Sequence, residues 1–122
     1  MTPNQKDHLE LWDKFYNENI GIYHECLNLE NKETEEITKG LTRLLKERAE
    51  LQTKFVEITL DFPRPLRIHY LMLCKDLVGH FKTKLKQRFD GKAEYPPIVS
   101  PLKTAMDLLH KKQRTKNNYL NN

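Results

Sequence analysis

Five histidines and two cysteines are the residues of this 122-residue chain best suited to catalysis or metal binding. No HExxH or paired ExxH sequence occurs, so the ligand patterns of zinc proteases and di-iron bundles are missing. Asp76 and His80 are four residues apart and could share a metal on one helix, but we interpret His80 as a solvent-facing histidine. The histidines are His8, His24, His69, His80 and His110.

The two cysteines, Cys26 and Cys74, both fall on apolar stripes, and we interpret them as small core residues. No GxSxG, P-loop or GxGxxG motif is present, and four glycines are too few to make a phosphate-cradling loop easy to build. The sequence therefore predicts no catalytic residue, no metal site and no cofactor. We expect a protein that is not an enzyme.

One short motif gives an alternative interpretation. Arg64 and His69 are five residues apart near a helix start in a chain that reads as all-helical. The segment resembles the R-x4-6-H motif of HEPN ribonucleases, whose arginine and histidine are thought to act on RNA at a dimer seam. The resemblance covers six residues and implies a ribonuclease. The structural interpretation of the same pair is a helix-start arginine and an exposed or half-buried histidine.

A heptad pattern dominates the middle of the first half. Between Ile37 and Phe62 the apolar residues are spaced alternately four and three apart, which predicts a helix with an a/d seam over about four heptads. A long helix must lie along this seam, and the sequence leaves open whether this chain or another provides it. The heptad seam consists of Ile37, Leu41, Leu44, Arg48, Leu51, Phe55, Ile58 and Phe62.

Arg48 is the one charged member of the heptad seam. We expect its aliphatic stem to pack against the core while its guanidinium reaches water. The alternative is a buried polar residue that sets the register of the helices.

Three further helices complete the expected fold. The first runs over about 3–29, with Gly21 as a site where it could kink, and Asn31 is the expected N-cap of the heptad helix. The third runs from near Pro65 to about Phe89, where Asp90 and Gly91 end it.

After a loop over 92–99, Ser100 and Pro101 are typical of the start of a fourth helix. Its apolar positions are Leu102, Ala105, Met106 and Leu109. The fold class is therefore all-α, an elongated antiparallel bundle of three long helices plus one short C-terminal helix. We expect a single helical-bundle domain over 1–116 and a polar, frayed tail over 117–122.

Charge is divided unevenly along the chain. Residues 1–61 hold 13 acidic and 8 basic residues, a net charge of 8 − 13 = −5. Residues 62–122 hold 4 acidic and 13 basic residues, a net charge of 13 − 4 = +9. The excess of cations predicts either binding of an anionic partner or pairing with the acidic half. The candidate nucleic-acid-binding residues on the third and fourth helices are Lys75, Lys82, Lys84, Lys86, Arg88, Lys103, Lys111, Lys112 and Arg114.

Composition excludes several classes of protein. No apolar stretch approaches the ~18–20 residues of a membrane span, and the N-terminal residues lack the basic-then-apolar layout of a signal peptide. Hydrophobic residues make up 38% and charged residues 31% of the chain, which favours a large exposed helical surface over a thick core. We expect an intracellular, cytoplasmic protein with no membrane partner and no small-molecule substrate.

Two functional hypotheses follow from these patterns. The first is a small helical protein that associates through the heptad seam and presents a basic face to nucleic acid or another polyanion. The second is a protein–protein adaptor or scaffold subunit with no role on nucleic acid. Self-association or a protein partner is expected under both.

Overall fold

The computed structural model describes the backbone of residues 3–120 and the side chains of residues 6–114. Within that range the chain forms four helices and no strand, which confirms the predicted fold class. The helices have 25, 26, 26 and 20 residues. They are α1 (Pro3–Leu27), α2 (Thr34–Thr59), α3 (Arg64–Phe89) and α4 (Pro101–Leu120). The predicted frayed tail, 117–122, lies outside the residues whose side chains are described.

Details at the helix ends differ from the sequence predictions. The N-cap of α2 is Glu33 and not Asn31, and no side chain caps this helix. Helix α1 continues through Gly21 to Leu27 without a break. The start of α4 at Pro101 agrees with the prediction, and the backbone N–H of Thr104 donates to the Ser100 carbonyl at 3.1 Å.

Helices α2 and α3 form the centre of the bundle. Helix α1 packs on one side of this pair and α4 on the other, so each outer helix contacts both central ones. Consecutive helices run antiparallel. The chain exposes 8583 Å², against about 6,900 Å² for a compact monomer of this mass. The excess surface agrees with an elongated shape.

The heptad seam packs against helices of the same chain. Ile37, Leu41 and Leu44 are buried in a cluster with residues of α1 and α3, and each large side chain removed from water contributes about 1.5–3 kcal/mol. Phe55 stacks on Phe15 of α1 with ring centroids 4.4 Å apart. Leu51 and Phe62 are half-buried, whereas Ile58 is 42% exposed. Helices α1 and α3 therefore cover most of the seam.

Arg48 lies at the middle of the seam and is only 1% exposed. The expectation that its guanidinium reaches water is therefore wrong. Nη1 donates to Gln52 Oε1 at 2.9 Å, and Nη2 donates to the Val99 carbonyl at 3.3 Å. Gln52 Nε2 in turn donates to Thr104 Oγ1 at 2.8 Å. These bonds join α2 to α4 and to the segment before it, and Arg48 is the buried polar residue of the alternative interpretation; that it sets the register of the helices stays a prediction.

The Arg48 guanidinium has no carboxylate within ion-pairing distance among the described side chains. Desolvation by burial lowers the pKa of Arg48, yet an arginine starts so high that the group keeps its charge at neutral pH. Its Nε lacks an acceptor, and Oδ1 of the fully buried Asn19 lacks a donor. The ring contact between Trp12 and Phe55 shows which parts of the antiparallel helices α1 and α2 lie side by side. Asn19 and Arg48 are each two helical turns from that contact, toward the same end of the bundle, so their two unsatisfied atoms lie at the same level.

We predict that Arg48→Ala lowers the free energy of unfolding by about 3 kcal/mol, because it opens a cavity and leaves the Gln52 and Val99 oxygens without donors. The double variant Arg48→Met with Gln52→Leu removes the charge and its polar partner together. It is expected to stay within about 1 kcal/mol of the wild type or to exceed it. Urea unfolding followed by circular dichroism measures both. A single variant as stable as the double would contradict this account.

A tight turn fixes the end of α3. The Lys92 N–H donates to the Phe89 carbonyl at 3.1 Å, and Gly91 adopts a positive φ of 71°. Asp90 at φ −60°, ψ 125° completes the geometry of a type II turn, which requires glycine at its third position. The turn places Lys92 Nζ 3.2 Å from Glu30, which also lies 3.3 Å from Arg88.

We predict that Glu30→Gln lowers the unfolding temperature near pH 7 but not near pH 2.5. The hydrogen bond from Lys92, followed by the charge of Arg88, lowers the pKa of Glu30. Its stabilisation is therefore present above the carboxyl's unfolded pKa and is lost as the pH falls through the lower, folded pKa. Glu50→Gln, at an exposed carboxylate of α2, is the control. An equal effect of Glu30→Gln at both pH values would refute the linkage.

Candidate binding face

All nine predicted nucleic-acid-binding cations are exposed. At about 100° per residue, Lys75, Lys82 and Lys86 lie within about 40° of one another on α3, and we call these three the basic stripe. They have no ion pair among the described side chains. The basic stripe is therefore an uncompensated row of positive charge.

Acidic residues of the first half neutralise only the ends of the basic surface. Arg88 is paired with Glu30 at 3.3 Å, and Lys112 Nζ lies 3.3 Å from Asp61 Oδ1. Lys92 Nζ also lies 3.2 Å from Glu30 Oε1. The other two ion pairs of the described residues lie within α2, where each is exposed and contributes about 0–1 kcal/mol. Internal pairing of the two halves thus leaves Lys103 and the basic stripe without an ion pair among the described side chains.

The cations of α4 form a second row. Lys103, His110 and Arg114 lie within about 40° of one another, on the side of the helix opposite the buried Ala105. Asp107 lies near the same row and is the acidic residue of α4. Lys84, in contrast, lies far around α3 from the basic stripe. The predicted cations therefore occupy more than one face.

The four apolar positions of α4 that the sequence indicated differ in exposure. Ala105 is buried, whereas Leu102, Met106 and Leu109 are exposed by 41%, 55% and 38%. We call these three exposed residues the α4 stripe. The buried side of the helix consists of three small or polar residues, Pro101, Thr104 and Ala105, together with the half-buried Leu108. Helix α4 thus has two sides with residues at helical spacing, and the more hydrophobic side is the exposed one.

Two large apolar residues of α3, Ile68 and Met72, are also exposed, by 47% and 44%. On α3, Tyr70 contacts α1, whereas Leu71 packs with Ala105 of α4. Ile68 and Met72 lie about 60° and 100° beyond Leu71, in the direction that leads from α1 toward α4. They therefore lie on the outer flank of α3 beside α4.

The same rotation applies to α4. Thr104 bonds α2, and Ala105 packs against α3 and α2, so the step from Thr104 to Ala105 turns toward α3. The α4 stripe lies about 40–100° further in that direction. Since α3 and α4 are antiparallel, the exposed apolar residues of α3 and the α4 stripe face the same outer side of the bundle. This apolar patch consists of Ile68, Met72, Leu102, Met106 and Leu109.

The basic stripe lies on the same outer face, further along α3. Lys75, Lys82 and Lys86 are about 20–60° beyond Leu71, in the same angular range as Ile68. The face thus has an apolar end, where α3 and α4 lie side by side, and a basic end along the second half of α3. We call the whole surface the binding face. Sequence reasoning found its cations and missed its apolar end.

Among the described side chains, the two residues of the ribonuclease motif make no contact with each other. Arg64 and His69 are both exposed and lie about 140° apart around α3, so their side chains diverge. His69 makes a ring contact with Tyr70 at 5.3 Å. No group of three or more metal-ligating side chains occurs among the described residues. His80 is exposed, as expected.

Both thiols are buried and inert. Cys26 and Cys74 have no exposed surface, in agreement with their interpretation as core residues. Burial raises the pKa of each thiol to about 12, and the nearby Arg48 charge offsets this only in part at Cys74. Neither thiol forms a thiolate near neutral pH.

Comparisons with protein-family models, with curated proteins and with solved structures found no match to this chain. Across the described residues, none of the helices combines the length and apolar character needed to cross a membrane.

We predict that iodoacetamide near pH 8 leaves the native protein unlabelled and modifies two thiols per chain in guanidinium chloride, because Cys26 and Cys74 react only when unfolding exposes them. Mass spectrometry of samples quenched over several hours measures the extent of labelling. Labelling of the native chain as fast as that of the unfolded chain would contradict the burial of these thiols.

Proposed function

We propose that this protein is a non-enzymatic binding module that presents the basic stripe and the α4 cations to nucleic acid or another polyanion. The observation that supports this most directly is the basic stripe. Its three lysines are exposed on one side of α3 and lack ion pairs among the described residues. Lysines that served only to pair with the acidic half would lie beside its carboxylates.

The dimensions of the stripe suit a phosphate backbone. From Lys75 to Lys86 the helix rises about 16 Å, comparable with about five base pairs of duplex at ~3.4 Å each. Lysines bind phosphates as point charges and release condensed counterions, without reading base edges. We therefore propose binding with a strong dependence on salt and little dependence on sequence.

A protein–protein adaptor is the second candidate function, and the apolar patch is the observation that favours it. Five large apolar side chains on one face amount to an area on the order of 400 Å², within the ~300–600 Å² of a typical monomer's largest and often functional patch. Since the heptad seam is largely covered by α1 and α3, we propose that association uses this patch instead. The ribonuclease alternative loses support because Arg64 and His69 diverge.

We predict that the triple variant Lys75→Gln, Lys82→Gln, Lys86→Gln weakens binding to duplex and single-stranded DNA and RNA. Removing three phosphate contacts is expected to reduce the slope of log affinity against log salt by up to about 2.7. Fluorescence anisotropy titrations at about 50 and 200 mM salt measure affinity and slope.

The matched control is Lys14→Gln, Lys46→Gln, Lys54→Gln, which removes three exposed lysines from α1 and α2 and changes the net charge equally. It should bind nearly as well as the wild type. Absence of wild-type binding at about 50 mM salt, binding with no salt dependence, or an equal loss in both triple variants would refute the proposal.

A further inference from the structure

We propose that the apolar patch is the docking site for an acidic amphipathic helix of another protein. This inference rests on the second candidate function, the adaptor, and names the chemistry of its partner. It does not depend on nucleic-acid binding.

The shape of the patch suits a helix. Leu102, Met106 and Leu109 follow the four-then-three spacing of a helix-packing seam, and Ile68 with Met72 forms a parallel row on the antiparallel neighbour. Met106 and Leu109 also line an open depression with His110 and Gln113. Two apolar rows on adjacent helices present the groove into which an amphipathic helix packs its apolar face.

The charges around the patch select an acidic partner. Along its α4 margin lie Lys103, His110 and Arg114, all exposed. The basic stripe begins at Lys75, next to Met72 along the same flank of α3. The α3 margin holds Asp76, the acidic residue nearest to the patch on that side. A helix with carboxylates along the edge that faces α4 would meet this surface with complementary charge.

A second copy of this chain suits the patch less well. A two-fold contact through the same patch brings each surface against its own copy, so that Lys103 and Arg114 approach cations. Like charges placed together in an interface disfavour association. A lipid surface is also a weaker match, because the patch lacks the tryptophan or phenylalanine typical of interfacial helices.

The test uses a fluorescein-labelled synthetic helical peptide with leucine at a and d positions and glutamate elsewhere on its exposed surface. Two control peptides have the same composition in scrambled order, or lysine in place of each glutamate. We expect anisotropy to show binding of the acidic amphipathic peptide only, with affinity that falls as salt is raised.

Met106→Gln and Leu109→Gln are each expected to weaken this binding at least tenfold, since each places an amide in the apolar contact. Both side chains are exposed, so the variants should unfold at the wild-type temperature. Leu9→Gln, at an equally exposed leucine of α1, is the matched control and should bind the peptide as the wild type does.

Several outcomes would overturn the proposal. They are equal binding of the scrambled peptide, no loss in Met106→Gln, a dimer that Met106→Gln abolishes, or binding to vesicles of anionic lipid that requires Met106. Nucleic-acid binding that falls tenfold in Met106→Gln would instead assign the patch to the polyanion site. Loss of nucleic-acid binding in the double variant Lys82→Gln, Lys86→Gln, which leaves Lys75 beside the patch in place, with peptide binding intact, separates the two functions.

Discussion

A buried guanidinium without a carboxylate partner constrains the centre of this bundle. Arg48 satisfies two of its donor groups with neutral oxygens, from Gln52 on its own helix and from the backbone at Val99. A buried guanidinium without water or hydrogen-bond partners would lower the free energy of unfolding by several kcal/mol. The folded protein must therefore keep the Gln52 and Val99 oxygens in position. The segment before α4 is therefore bound directly by Arg48, and α4 itself is bound to α2 through Gln52.

The same constraint accounts for the placement of α4. This helix contributes little apolar volume to the core, mainly the small Ala105 and the half-buried Leu108. Its inward side includes Thr104, which accepts a hydrogen bond from Gln52 and donates one to Ser100. Because a polar network orients α4, its larger apolar residues are left on the outside. The apolar patch is therefore exposed because hydrogen bonds in the core set the orientation of α4.

Much of the fold could be predicted because it depends on local periodicity. The heptad spacing predicted α2, and the prolines and Gly91 marked the ends of α3 within one or two residues. The burial of Arg48 could not be predicted, since Gln52, Val99 and Thr104 come together only in the folded bundle. In α4 the apolar positions alone did not show which side of the helix lies inside, and hydrogen bonding to α2 places Thr104 and Ala105 inward. The exposure of the cations followed from their type, whereas the pairing of Arg88 with Glu30 required the tertiary structure.

Helix α4 takes little part in the apolar core, and this affects which part of the protein unfolds first. Two of the three core clusters are formed by α1, α2 and α3 with a few residues of the segment before α4. Detaching α4 exposes little additional apolar surface, and it returns water to the Arg48 guanidinium, which partly offsets the lost contacts. Helix α4 is therefore the unit whose amide hydrogens should exchange first, through sub-global opening. A three-helix core would persist while the helix that carries most of the apolar patch moves, so the patch can change shape without global unfolding.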